Sequence, residues 1–134
     1  MFESVVSADD GGFIAVWDIE DGKLMSKFGN THGPKNKITA GCFDSTQRRL
    51  VTSGSDGTVK MWNFSNGQCL TDLISTDNPK RVDTEVTSLV CVFDPEDIES
   101  QLKMSYIVSA GWDKRIHVWA DEKEEEVEST KILP

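Results

Sequence analysis

Residues 51–64 read VTSGSDGTVKMWNF, and the spacing of their side chains recurs on both sides of them. Counted back from Trp62, the hydroxyl of Thr52 stands ten places earlier, Asp56 six, and the aliphatic residues Val59 and Met61 three and one. Trp119 has Ser109, Asp113, Ile116 and Val118 at the same offsets. Trp17 has Ser7, Ile14 and Val16, with Gly11 in place of the aspartate and Asp10 just before it. Each copy reads as an apolar strand, a tight Ser/Gly/Asp turn and a second strand alternating apolar with polar, which is the pattern of an antiparallel hairpin. The tryptophans lie 45 and then 57 residues apart. A self-similar period of about 40 to 50 residues marks a repeat architecture and not one ordinary core.

Working outward, residues 38–43, 49–53, 58–64 and 68–74 predict the four strands of a complete unit, with turns at 44–48 and at Asn66-Gly67. Upstream, residues 4–8, 13–19 and 23–28 predict three strands, so the first unit lacks its first strand; its turns are residues 9–12 and the Asp21-Gly22 pair, a strong hairpin signal. The Gly-, Asn-, Pro- and Lys-containing residues 29–37 form the connection. Downstream, residues 86–92, 106–109, 115–120 and 127–133 predict a third set of strands, with extra length before and inside it. Within that extra length DPEDIESQLKM, residues 94–104, predicts a short helix capped by Asp94 or Asp97. The expected division is therefore 1–28, a partial unit; 29–74, a complete one; and 75–134, a third with an insertion and an acidic turn.

These residues resemble the WD-repeat family of β-propellers, whose blades carry the same hydroxyl, aspartate and tryptophan at these offsets, and the resemblance covers nearly the whole chain. It implies an all-β fold: a partial β-propeller, an open arc of two to three four-stranded antiparallel blades. It also implies a structural network in which the turn aspartate Asp56 holds His32, His32 holds Thr52, and Thr52 meets the indole of Trp62. Each such bond is worth about 1 kcal/mol net, and a buried group left alone costs more. His32 stands where the family has a Gly-His pair, although the order here is Thr-His-Gly. The matching residues are Ser109, Asp113 and Trp119 in the third unit, which has no histidine upstream, and Ser7 and Trp17 in the first. The phrases VTSGSDGTVKMWNFSNGQCL and YIVSAGWDKRIHVW look most like the large multi-repeat WD proteins of cilia and flagella.

The bulk properties narrow the partners. There are 14 basic against 23 acidic residues, net −9, which argues against a surface built to neutralise nucleic acid or an anionic membrane. No apolar run approaches a membrane span, and MFESVV lacks the order of a signal peptide, so the expected location is intracellular, in the cytoplasm or, by the finer resemblance, a cilium or flagellum. Cys42, Cys69 and Cys91 are an odd number without C-x-x-C spacing, and indicate buried thiols and neither disulfides nor zinc.

Several residues resemble chemistry. Thr52, His32 and Asp56 are on paper a nucleophile, a base and an orienting acid, but nothing nearby suggests an oxyanion site, and a structural network accounts for them better. Gly54 and Gly57 lack the Lys-Ser or Lys-Thr and the helix of a phosphate loop. The acidic run DEKEEEVE lacks the alternating ligands and glycine of a calcium loop. His117 occupies a place held by Ala15 and Lys60 in the other units, which suggests a partly exposed strand position. No cofactor or metal is expected. Trp112, in the turn before Asp113, is a candidate partner contact, with Lys114 and Arg115 as a polar rim; the competing account packs it under residues 94–104.

The function expected from these features is a non-enzymatic protein–protein interaction scaffold, a section of a larger propeller whose remaining blades pack beside it. The alternatives are a substrate-recognition or regulatory part of an enzyme complex such as a ubiquitin ligase, and a fragment without a role of its own. Within the complete unit Trp62, Val59, Met61, Ile38, Phe43 and Val51 should be buried. The two outer faces should expose apolar residues from 13–19 and 115–120.

Overall fold

Period-two alternation of apolar and polar residues, broken at short intervals by Gly, Asn and Asp, sets strands joined by tight turns over the described residues. A computed structural model describes residues 4–29, 31–33, 35–44, 48–63, 65–74, 85–93, 105–121 and 127–133, and among these it contains no helix. The helix expected over residues 94–104 lies outside the described residues, as does the acidic turn at 122–126.

Among the described residues, eleven strands form three antiparallel sheets. The first contains β1 (Ser4–Ala8), β2 (Ile14–Asp18) and β3 (Leu24–Phe28), in that order. The second contains β4 (Ile38–Phe43), β5 (Arg49–Gly54), β6 (Val59–Asn63) and β7 (Gln68–Ile74), and the third β8 (Val86–Phe93), β9 (Ser105–Gly111), β10 (Ile116–Asp121) and β11 (Val127–Leu133). Within each sheet every strand pairs with its neighbour in sequence, as meanders joined by short turns must. The hydroxyl strand and the tryptophan strand of each unit pair directly: Val5 faces Trp17, Leu50 faces Trp62 and Ile107 faces Trp119.

The sheets stack face to face as an open arc, and strand alternation decides what each face buries. Trp62 and Leu50 on the leading face of the second sheet pack with Ile14 of the first, with Val6, Phe28 and Ile38 around them. Phe28 meets Trp62 at 5.8 Å between ring centroids. The trailing face of the same sheet carries Val51, Val59 and Met61, which pack with Val86, Ile107 and Trp119 of the third. Trp62 and Trp119 therefore each point at the sheet before their own.

Trp62, Val59, Met61 and Val51 are buried as expected, while Ile38 is only partly so. Phe43 departs from the expectation, at 38% exposed. It ends β4 on the leading face, beside the edge of the first sheet, where β1 is the outermost strand among the described residues. What lies there is an open cavity of about 320 Å³ lined by Val6, Ala8, Ile38, Phe43 and Leu50 among others. The outer faces expose Phe13, Trp17 and Ile19 at one end and Ile116 at the other, as the sequence indicated, together with Val5, Leu24, Val90 and Val92.

Candidate functional site

The interior of the second unit holds a chain of side-chain hydrogen bonds. The Trp62 indole N–H donates to Thr52 Oγ1 at 2.9 Å. Thr52 Oγ1 lies 2.8 Å from His32 Nε2, and His32 Nδ1 lies 2.5 Å from Thr58 Oγ1. The Thr58 hydroxyl then donates to Asp56 Oδ1 at 2.7 Å. Expectation and structure part at one link: Asp56 reaches His32 through Thr58, a residue the sequence reading did not single out. The reason is local. Asp56 Oδ1 is drawn back to its own turn by the backbone N–H of Thr58 at 3.1 Å, and the Thr58 hydroxyl fills the gap that remains. A hydroxyl two places after the aspartate was the available signal.

Proton bookkeeping gives this chain one consistent direction. The carboxylate only accepts, so Thr58 must give it its proton and is left to accept from His32. His32 then carries its proton on Nδ1 and accepts at Nε2 from the Thr52 hydroxyl, whose oxygen in turn takes the indole N–H. Every donor has an acceptor with neutral imidazole. Burial pushes the His32 pKa down to about 4, against the opposing pull of the Asp56 carboxylate. Gly54 makes room for the ring: a Cβ there would stand 2.8 Å from His32 Nδ1 and 2.6 Å from Asp56 Oδ1. Thr52, Thr58, Trp62 and His32 are all buried, His32 at 3% exposed.

The other units solve the same problem differently. In the first, Trp17 Nε1 donates to Ser7 Oγ at 2.9 Å, but in an exposed setting. Asp9, and neither Gly11 nor Asp10, braces the turn there, its Oδ1 accepting from Gly11 N at 2.9 Å and Phe13 N at 3.0 Å. In the third, Asp113 Oδ1 accepts from Arg115 N at 3.0 Å, and Asp113 Oδ2 meets His117 Nε2 at 2.8 Å. The reading of His117 as a partly exposed position is thereby corrected: it is 7% exposed, bonded to Asp113 and stacked on Trp119 at 5.7 Å with 11° between planes. It is a histidine supplied from within the unit's own strand. Ser109 Oγ is buried without a hydrogen-bond partner among the described residues, so the serine and Trp119 do not repeat the Thr52–Trp62 bond.

Trp112 lies at the opposite extreme of burial. Its backbone N–H is tied to Glu85 O at 3.0 Å, while 64% of the residue is exposed. Lys114 and Arg115 beside it are exposed as well. The expectation of three buried thiols is corrected: Cys69 is exposed, on a strand at the edge of the second sheet, and Cys42 and Cys91 are only partly buried. Burial, with Cys91 nearby, pushes Cys42 up to about 12. No group of three or more metal-ligating side chains occurs among the described residues.

Comparison with known proteins agrees with this architecture. The family model "WD domain, G-beta repeat" matches residues 22–63 and 83–120, more than half of the chain. The chain is 27% identical over 128 residues to a WD repeat-containing protein on the Y chromosome of Drosophila mojavensis, covering 90% of this chain and 9% of that protein. It is 30% identical over 128 residues to the protein of that description in Drosophila yakuba, covering 90% and 10%. The solved structure of the computationally designed Ika4 protein superposes with a TM-score of 0.60 at 28% identity, over 89% of this chain and 62% of that one. The chain belongs to the WD40 repeat family, whose members generally act in protein–protein interaction. It spans about a tenth of the length of the curated relatives it matches.

Proposed function

We propose that the chain is a non-enzymatic interaction module, one section of a larger intracellular WD-repeat scaffold, and that it engages protein partners through the rim around Trp112. The observation that carries this reading is the contrast within one turn: the Trp112 backbone N–H is held by Glu85 while 64% of the residue is exposed. A fixed backbone lowers the ordering cost of using the indole as an anchor, and Lys114 and Arg115 supply charge around it. The residues that resemble a catalytic triad support the same reading, since Thr52 and His32 are buried where no substrate reaches them. Their role in this proposal is to hold the strands in register, with Asp113 and His117 doing so in the third unit. The finer assignment to large proteins of cilia or flagella rests on the resemblance of residues 51–70 and 106–119, and localising a tagged full-length protein tests it.

Peptide selection from a displayed library tests the rim. Peptides enriched on the wild-type chain should lose at least tenfold in affinity against Trp112→Ala and measurably against Arg115→Glu. Enriched peptides that bind all three proteins equally would sink the rim as the site.

A further inference from the structure

Two of the three cysteines face each other across the seam between the second and third sheets. Cys42 lies opposite Val51 in the pairing of β4 with β5, and Cys91 lies opposite Ile107 in the pairing of β8 with β9. Residues directly opposite one another share a face of their sheet. Val51 and Ile107 belong to the core cluster that fills this seam, and Cys42 packs against it, as does Leu89 on the same side of β8 as Cys91. Cys42 therefore turns toward the third sheet and Cys91 toward the second. Their strands are edge strands of the two sheets, and β4 and β8 run beside each other with Cα atoms within 8 Å. Both residues are partly exposed, so small molecules in solution reach them. Both are held as thiols, and the closeness of the pair is felt in its ionisation: after burial itself, Cys91 is the largest cause that keeps Cys42 protonated. In the sequence the two stand 49 residues apart, a separation that conceals the pair.

We propose that Cys42 and Cys91 form a reversible disulfide that staples the second sheet to the third, with a low-molecular-mass disulfide such as oxidised glutathione as the oxidant. The chemistry balances in two exchanges. The Cys91 thiolate attacks one sulfur of the oxidised glutathione, an S–S bond forms to Cys91, and one glutathione leaves as a thiolate that takes up the proton Cys91 gave up. Capping removes the Cys91 charge that opposes ionisation of Cys42. The Cys42 thiolate then attacks the Cys91 sulfur, and the second glutathione leaves and takes up the Cys42 proton; two electrons have passed from the protein pair to the oxidant. Reduced glutathione runs both exchanges backward. A disulfide spans Cα atoms about 4.4 to 6.8 Å apart, so closure asks little movement of strands that already approach within 8 Å. Attack needs the thiolate, and Cys42 stays protonated up to about 12, so closure is slow at neutral pH and quickens as pH rises. The staple does not depend on what the Trp112 rim binds.

The test starts from Cys69→Ser, which removes the exposed thiol. After prolonged incubation with excess oxidised glutathione at mildly alkaline pH, mass spectrometry of a digest should find residues 42 and 91 joined in one cross-linked pair of peptides, with no glutathione retained and no thiol left to titrate in denaturant. The closed form should melt several degrees higher, because the bridge constrains a loop of about 50 residues in the unfolded chain, and reduction should restore the original midpoint. Adding Cys91→Ser should leave Cys42 as a thiol or as a lasting mixed disulfide with glutathione, with no gain in melting temperature. Glutathione retained on either cysteine of the intact pair, two thiols that survive the treatment, a bridge between separate chains, or a closed form that melts no higher would each overturn the staple.

Discussion

Thr52 and Ser109 occupy equivalent positions and have opposite consequences. Thr52 Oγ1 serves Trp62 Nε1 and His32 Nε2 at once, so Thr52→Val strands two buried polar groups and should cost about 2 to 4 kcal/mol. Ser109 Oγ already lacks a hydrogen-bond partner among the described residues. Ser109→Ala should therefore be neutral or stabilise by up to about 1 kcal/mol; equal losses for the two variants in urea unfolding would contradict the network described here. His32 adds a pH dependence. Its folded pKa is lowered from 6.5 to about 4, so the unfolded chain takes up a proton first as pH falls. The stability this group contributes is complete above about 6.5, is lost progressively toward 4, and then levels off, for a total of roughly 3 kcal/mol. Carboxylates titrate in the lower part of that window, so the measurement is the difference between wild type and His32→Gln. The wild type should lose more between pH 6.5 and 4, and parallel curves would refute the assignment.

At the scale of the element, one turn is built three times from different residues. Gly12, Gly57 and Lys114 occupy the same place in their hairpins, and all three adopt positive φ, at 80°, 85° and 62°. Each N–H closes the turn on a carbonyl three residues back, Asp9, Gly54 and Gly111 respectively, at 3.1 to 3.2 Å. A left-handed residue closing a three-residue hairpin loop suits glycine, and a lysine there carries a backbone cost of about 1 kcal/mol or more. Lys114→Gly should raise stability by about 1 kcal/mol without altering the sheet; a lower melting temperature would show that the Lys114 side chain contributes more than its backbone costs. The braces of the turn were partly legible. Asp56 and Asp113 follow from their offset to the tryptophan, whereas Asp9 does not, because it reaches Phe13 N from two residues further back.

At the scale of the whole molecule the sheets are distinguished by what flanks them. The second is covered on both faces, which is why Val51, Val59, Met61 and Trp62 are all buried although they lie on opposite sides of it. The first and third each have one covered face, and identical strand patterns there leave Trp17 and Val90 in solvent. Burial of a repeat residue is thus a property of its neighbour as much as of its own sequence. Phe43 shows the same principle at the edge of the arc, where it lines a cavity beside β1, the outermost strand of the first sheet among the described residues.

The sequence alone determined the strand order, the hairpin turns and the spacing of hydroxyl, aspartate and tryptophan, because period-two alternation and turn chemistry act within a few residues of one another. It located every described strand to within two residues at each end. Tertiary structure decided what distance along the chain conceals. Thr58 stands between Asp56 and His32 because a side chain from 26 residues upstream arrives at that height. His117 is buried because its ring can stack on Trp119 and reach Asp113 at once, a geometry that comparison with Ala15 and Lys60 at the matching positions does not reveal. The direction in which each tryptophan points also emerged only from the stacking of sheets, since alternation along a strand defines two faces but not which neighbour each one meets.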